Sequence, residues 1–189
     1  MNNIELNIPW KRYALIAQLA LSFQEMNRQF GKTALQKLVY LFQEIYEVDC
    51  DYRFDFYTYG PFTSQLLNDL DFTEHIGGVK VSRVDTSFGG YQIAPGEEAE
   101  YIFKKAESFI YNSRVSQKLG QLIGDFGHFS ATELELRSTI VYVDRDLQKN
   151  GSPPDMKEIV RLVEGLKPKF HKDEIRRAVE ELKNKQFIL

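Results

Sequence analysis

The chain has 189 residues, 43% hydrophobic and 27% charged, which supplies a core for one domain or two very small ones and excludes wholesale disorder. Its 24 Lys and Arg against 27 Asp and Glu give a formal net charge of −3, so a general polyanion binder is excluded and any nucleic-acid contact needs a local basic patch. The single cysteine, Cys50, excludes an internal disulfide and a cysteine metal cluster and points to a reducing compartment.

The most nearly apolar stretch, Tyr13 to Phe23, is far shorter than the roughly 20 residues of a membrane helix. The opening Met-Asn-Asn-Ile-Glu-Leu-Asn has no basic end of a signal peptide. A cytoplasmic protein without membrane contact is expected.

Pro9 opens a first helix through Phe23, apolar around most of its circumference and therefore either well buried or part of a dimer interface. Gly31-Lys32 breaks the chain. Thr33-x-x-Gln36 then reads as a capping box for a second helix bearing Leu35, Leu38, Val39, Phe42, Ile45 and Tyr46. Asp51 to Phe56 alternates polar and aromatic residues, as a half-buried strand does. Tyr59-Gly60-Pro61 turns the chain into a third helix from Phe62 to Glu74, ended by Gly77-Gly78.

Val79–Val84 and Tyr91–Ile93, joined through Gly89-Gly90, form a hairpin, and a long helix from Pro95 reaches Ile110. A helix follows at Val115–Phe126. Ser130-x-x-Glu133 caps the next, through Leu147, although its run Thr139–Val143 favours strand. Asn150-Gly-Ser-Pro-Pro is the strongest linker signal, with Asp155 capping a short helix after it and a last helix beyond Lys167-Pro168. The expected fold is α+β and mostly helical: a winged-helix-like domain over 1–112 with a small three-stranded sheet, and a helical extension over 113–189 that packs on it or in a dimer.

Charge is segregated. Leu41 to Glu74 holds eight carboxylates against Arg53 alone, and the third helix carries no lysine or arginine. A helix entering a groove draws its affinity largely from cations, so conventional groove reading by this helix is disfavoured. Lys167 to Lys185 is basic, seven cations against four acids, and reads most simply as a solvated helix face with pairs such as Asp173–Arg177. Lys80 and Arg83 in the wing, with Arg176 and Arg177, are the residues left for a dimeric DNA-binding regulator, the alternative reading.

No catalytic or metal signature emerges. Gly31-Lys32-Thr33 lacks the upstream glycine and strand of a phosphate loop, and His75, His128 and His171 share no ligand spacing. Asp49, Asp51 and Asp55 lack the glycine and terminal glutamate of a calcium loop and read as a polar strand face. No enzyme, cofactor or metal is expected. Six rings do crowd Tyr52 to Phe62, however, with alternation sending Phe54 and Phe56 to one face and Tyr57 and Tyr59 to the other. Either both faces are covered, or the tyrosines form an exposed ledge of the kind enriched at protein interfaces.

Leu35-Gln-Lys-Leu-Val-Tyr40, with Phe56-Tyr-Thr-Tyr-Gly-Pro-Phe62 and Leu66 about twenty residues on, resembles the Panacea (SocA-like) antitoxin domain and the YwgA-like bacterial proteins over residues 10–112. The resemblance implies a winged-helix-like α+β fold. For the Panacea branch it implies neutralisation of a toxin by direct protein binding. Its signature falls on Gln36, Lys37, Tyr40, Tyr59, Gly60 and Pro61. With Tyr57 these are the expected partner-binding residues of a non-enzymatic, antitoxin-like or regulatory interaction module.

Overall fold

Helical periodicity in most segments yields a mostly helical α+β chain, seen in a computed structural model that describes residues 8–84, 90–151 and 155–189. Helices α1 (Trp10–Glu25), α2 (Lys32–Glu44) and α3 (Ser64–His75) alternate with strands β1 (Asp55–Tyr57), β2 (Gly60–Phe62), β3 (Val79–Arg83) and β4 (Tyr91–Pro95). Then come α4 (Ala99–Lys105), α5 (Glu107–Ile110), α6 (Ser113–Phe126), α7 (Ala131–Lys149), α8 (Met156–Leu166) and α9 (Lys172–Asn184). The strands make two separate antiparallel pairs, β1–β2 and β3–β4, where one three-stranded sheet was expected. Met1–Asn7, Gly89 of the wing loop and Ser152–Pro154 of the linker lie outside the described residues.

The contacts divide the chain differently from a boundary at 112/113. One unit comprises the described residues of Met1–Lys32, Cys50–Tyr52 and Ser64–Gly120; the other comprises Thr33–Asp49, Arg53–Thr63 and Gln121–Leu189. The reason is long-range bonding: α2 and the β1–β2 hairpin are tied to each other and to the C-terminal helices, as detailed below.

In the first unit α1 is buried along Tyr13, Ala14, Leu15, Ile16, Ala17, Leu19, Ala20 and Phe23 and meets α3, β4 and α4. A single chain therefore covers its apolar circumference. Phe30 stacks on Phe23 with centroids 4.6 Å apart and accepts the Ile93 N–H at 2.7 Å, which fixes β4 beside the end of α1. Asp69 of α3 is internal. Tyr52 Oη donates to it at 2.8 Å and Arg12 Nε lies 3.1 Å away, and burial pushes its carboxyl upward. The acidic face expected of α3 thus reduces to exposed Asp71 and Glu74, and Glu74 accepts the outward N–H of Val81 on the edge of β3 at 2.8 Å.

The single helix expected after Pro95 breaks at Ala106 (φ −115°), giving α4 and α5, with neither proline nor glycine at the break. Gly96 is demanded by close approach: a Cβ there would sit 2.1 Å from Gly77 O and 2.8 Å from Gly77 C. Backbone cannot yield as a side chain does, so Gly96→Ala is expected to destabilise by about 1–3 kcal/mol. Gly124→Ala is the control, because nothing lies within 4 Å of that position in α6 and alanine should stabilise the helix by up to about 1 kcal/mol. Urea unfolding of the two variants should move in opposite directions.

In the second unit α7 packs against β2, α8 and α9. Its capping box forms as expected: Ser130 Oγ accepts the Glu133 N–H at 3.3 Å while Glu133 Oε2 accepts the Ser130 N–H at 2.8 Å. The β-branched run remains helical because Thr139, Ile140, Val141 and Val143 are buried, and packing overrides a weak propensity. Asp155 occupies the cap position of α8 without a side-chain cap bond, and Asp173 pairs with Arg176 at 3.2 Å rather than with Arg177.

Candidate functional site

The second unit presents the aromatic segment as a hairpin. β1 pairs with β2 through Asp55↔Phe62, Phe56↔Pro61 and Tyr57↔Gly60, so the expected strand is shorter and the expected turn is itself a strand. Asp51, at φ 58°, lies outside any strand. Alternation still sorts the rings. Phe54 and Phe56 are half-buried, Phe54 edge-on to Tyr40 at 5.3 Å and Phe56 at 4.9 Å from Tyr142. Tyr57 and Tyr59 stand 63% and 65% exposed at the tip, flanking exposed Thr58.

The base of this hairpin is bolted down from α2. Gln36 Nε2 donates to Thr63 O at 2.8 Å and Gln36 Oε1 accepts the Thr63 N–H at 3.0 Å, a reciprocal pair like a strand pairing. The capping box expected at Thr33 is displaced by this pair, since α2 begins at Lys32 and the Gln36 amide is committed to Thr63. Lys37 Nζ donates to Pro61 O at 2.6 Å. Gln36, Lys37 and Tyr40 are 3%, 2% and 3% exposed, so they support the surface instead of forming it.

Beneath the hairpin lies a charge network with no counterpart in the sequence reading. Glu135 of α7, 3% exposed, is approached by Lys167 Nζ at 2.9 Å and Lys169 Nζ at 2.7 Å. The Lys167 contact to Glu135 Oε1 is off the hydrogen-bond axis and acts through charge, because Oε1 has no aligned donor. Lys167 Nζ also donates to Thr58 O, so the C-terminal end of α8 holds the hairpin tip from below. This lysine, expected on a solvated basic face, is 3% exposed. Burial is the main force holding the Lys37 ammonium down, to a pKa of about 8; Glu135 opposes that shift and Lys167 adds to it.

Gly60 completes the seat. It has φ +83°, and a Cβ would lie 2.9 Å from Thr139 Oγ1 and 3.8 Å from Glu135 O. Ser138 and Thr139 turn their hydroxyls to that same carbonyl, at 3.1 and 2.8 Å, so the surface of α7 under the glycine is polar, small and satisfied. The burial of Glu135, Lys167, Ser138 and Thr139 had no signal in the sequence, where Lys167 read as part of a basic run and Thr139 as part of a β-branched one.

Family models, curated proteins and solved structures were compared with the chain, and none matches.

The geometry thus gathers Gln36, Lys37, Tyr40, Tyr57, Tyr59, Gly60 and Pro61 into one construction: two exposed tyrosines on a seat made by the other five. Of the basic residues, Lys80 and Arg83 are exposed on β3 in the first unit, and Arg176 and Arg177 are exposed on α9 in the second. Among the described residues no group of three or more His, Cys, Asp or Glu side chains is arranged to hold a metal, and no helix is long and apolar enough to cross a membrane.

Proposed function

We propose that this chain is a non-enzymatic protein-interaction module, antitoxin-like or regulatory, that binds a protein partner through the β1–β2 tip. The carrying observation is the contrast between Tyr57 and Tyr59, mostly exposed, and the bonds from buried Gln36, Lys37 and Lys167 that fix the hairpin bearing them. Large rings presented on a rigid seat lose little entropy on binding, which suits them as interface anchors. Lys169, with Nζ 5.8 Å from the Tyr59 ring centroid, adds a cation at the edge of the patch. The resemblance of the Leu35–Tyr40 and Phe56–Phe62 segments to the Panacea domain supports the same class of function.

Lys37 has the lowered pKa of an activated amine, yet its burial and its bond to Pro61 O favour a structural role over a catalytic one. The winged-helix-like reading of residues 1–112 rests on the order α1, α2, β1, α3, the β3–β4 hairpin and α4, of which α2 and β1 group with the second unit. Use of that wing on DNA has less behind it, since Arg176 is engaged by Asp173 and α3 carries no lysine or arginine.

The test is capture of partners from lysate of the source cell, half of it treated with nuclease, with the wild type and with Tyr57→Ala/Tyr59→Ala. A stoichiometric protein should be held by the wild type. The double variant should bind it with about 2 kcal/mol less free energy, the threshold of an interface hot spot. Its Tm should change little because both rings are solvated. Equal capture by the two proteins would remove the tyrosines from the interface, and recovery only of nucleic acid would replace the reading with a DNA-binding one.

A further inference from the structure

The first unit contains a cavity of about 520 Å³ between the first turn of α1 and the α4–α5 junction, within the usual size range of small-molecule pockets, roughly 300–1,000 Å³. Its wall is chemically one-sided. Lys11, Arg12 and Lys105 supply three cations and Ser108 a hydroxyl, against the single carboxylate of Asp51, which pairs with Lys11. Trp10 and Phe109 provide flat apolar faces beside them.

The cations are held in place. Arg12 is fixed by Asp69 and by the Tyr52 ring, 5.1 Å from its Cζ, and its Nε is buried without an aligned hydrogen bond. Lys105 lies with Nζ 5.3 Å from the Tyr101 centroid, and Tyr101 in turn meets Trp10 edge-on at 6.1 Å. Lys11 and Arg12 also stand where helices usually place acids. The first turn of α1 has no acidic residue of its own and no side-chain cap, so the positive end of the helix dipole adds to Lys11 and Arg12, whose counter-charges Asp51 and Asp69 come from elsewhere in the chain. A further anion seated there is favoured by that dipole and by Lys105.

We propose that this cavity binds a small phosphorylated ligand of the mononucleotide class, its phosphate held by Lys11, Arg12, Lys105 and Ser108 and its flat group against Trp10 and Phe109. The site is independent of the tyrosine tip, so either reading can fail without the other.

Trp10 is the chain's only tryptophan, so its emission reports on this cavity. The full chain is titrated with AMP, adenosine and inorganic phosphate, with calorimetry as a second readout of the same binding. AMP is expected to bind saturably, with adenosine and the Lys105→Glu variant weaker by about tenfold or more, the loss of one charge-assisted contact. Asp51→Asn is expected to tighten AMP binding, and added salt to weaken it. Lys105 is exposed, so its charge reversal should leave Tm unchanged. Adenosine binding as well as AMP, unaltered AMP affinity in Lys105→Glu, or no saturable AMP or phosphate binding by either readout would each overturn the proposal.

Discussion

Glu135→Ala is expected to lower the free energy of unfolding by about 3–5 kcal/mol, the range for removing one partner of a buried ion pair. Among the described residues Glu135 is the one carboxylate within salt-bridge distance of Lys167, itself 3% exposed, and it opposes the burial penalty on Lys37. Without it two ammonium groups remain in a water-poor region with no counter-charge. Lys169, 48% exposed at its side chain, can turn to solvent and so contributes less. Urea unfolding monitored by circular dichroism measures the loss. Lys169→Ala should stay within about 1 kcal/mol of the wild type, as exposed pairs do. A loss below 1 kcal/mol for Glu135→Ala would show that the network is not what seats the hairpin.

The second large effect is a rise in stability with alkaline pH. The folded pKa of Lys37 is about 8, below the 10.5 of the unfolded chain. Between these values the unfolded state binds more protons than the folded state, so stability increases as pH rises. Across the whole window the linkage amounts to about 3 kcal/mol. Above pH 10 the sign reverses for another reason: burial, helped by Asp69 on Tyr52 and Asp125 on Tyr46, raises the hydroxyls of Tyr40, Tyr46 and Tyr52, so ionisation favours the unfolded chain. Stability should therefore climb from pH 8 and turn over near pH 10. In Lys37→Met, similar in length and uncharged, the climb should vanish while the fall remains. A climb that survives the substitution would assign the effect to another group.

These effects share an origin that the sequence half-disclosed. Leu35, Leu38 and Val39 at helical spacing make α2 plain, and Gln36 and Lys37 between them read as polar positions of that helix. Nothing in their spacing tells that Thr63 and Pro61, more than twenty residues on, would take their hydrogen bonds. The ring alternation in Phe54–Tyr59 likewise gave the correct inner and outer faces. Exposure of the outer face depends on what else packs there, which alternation cannot report.

Local chemistry by itself determined most of the helices and some of their ends: Pro9 before α1, the Ser130–Glu133 box and the apolar stripes of α8 and α9. It also determined the polarity of the aromatic strand and the mostly helical α+β character. These follow from interactions within a few residues, where side-chain spacing and backbone sterics suffice. Tertiary structure alone decided that the strands pair as two hairpins, that α2 and β1–β2 group with the C-terminal helices, and that Glu135 and Lys167 lie buried under Gly60. Each of those outcomes depends on desolvating charged or polar groups against partners distant in sequence, a balance of burial and pairing that no local pattern encodes.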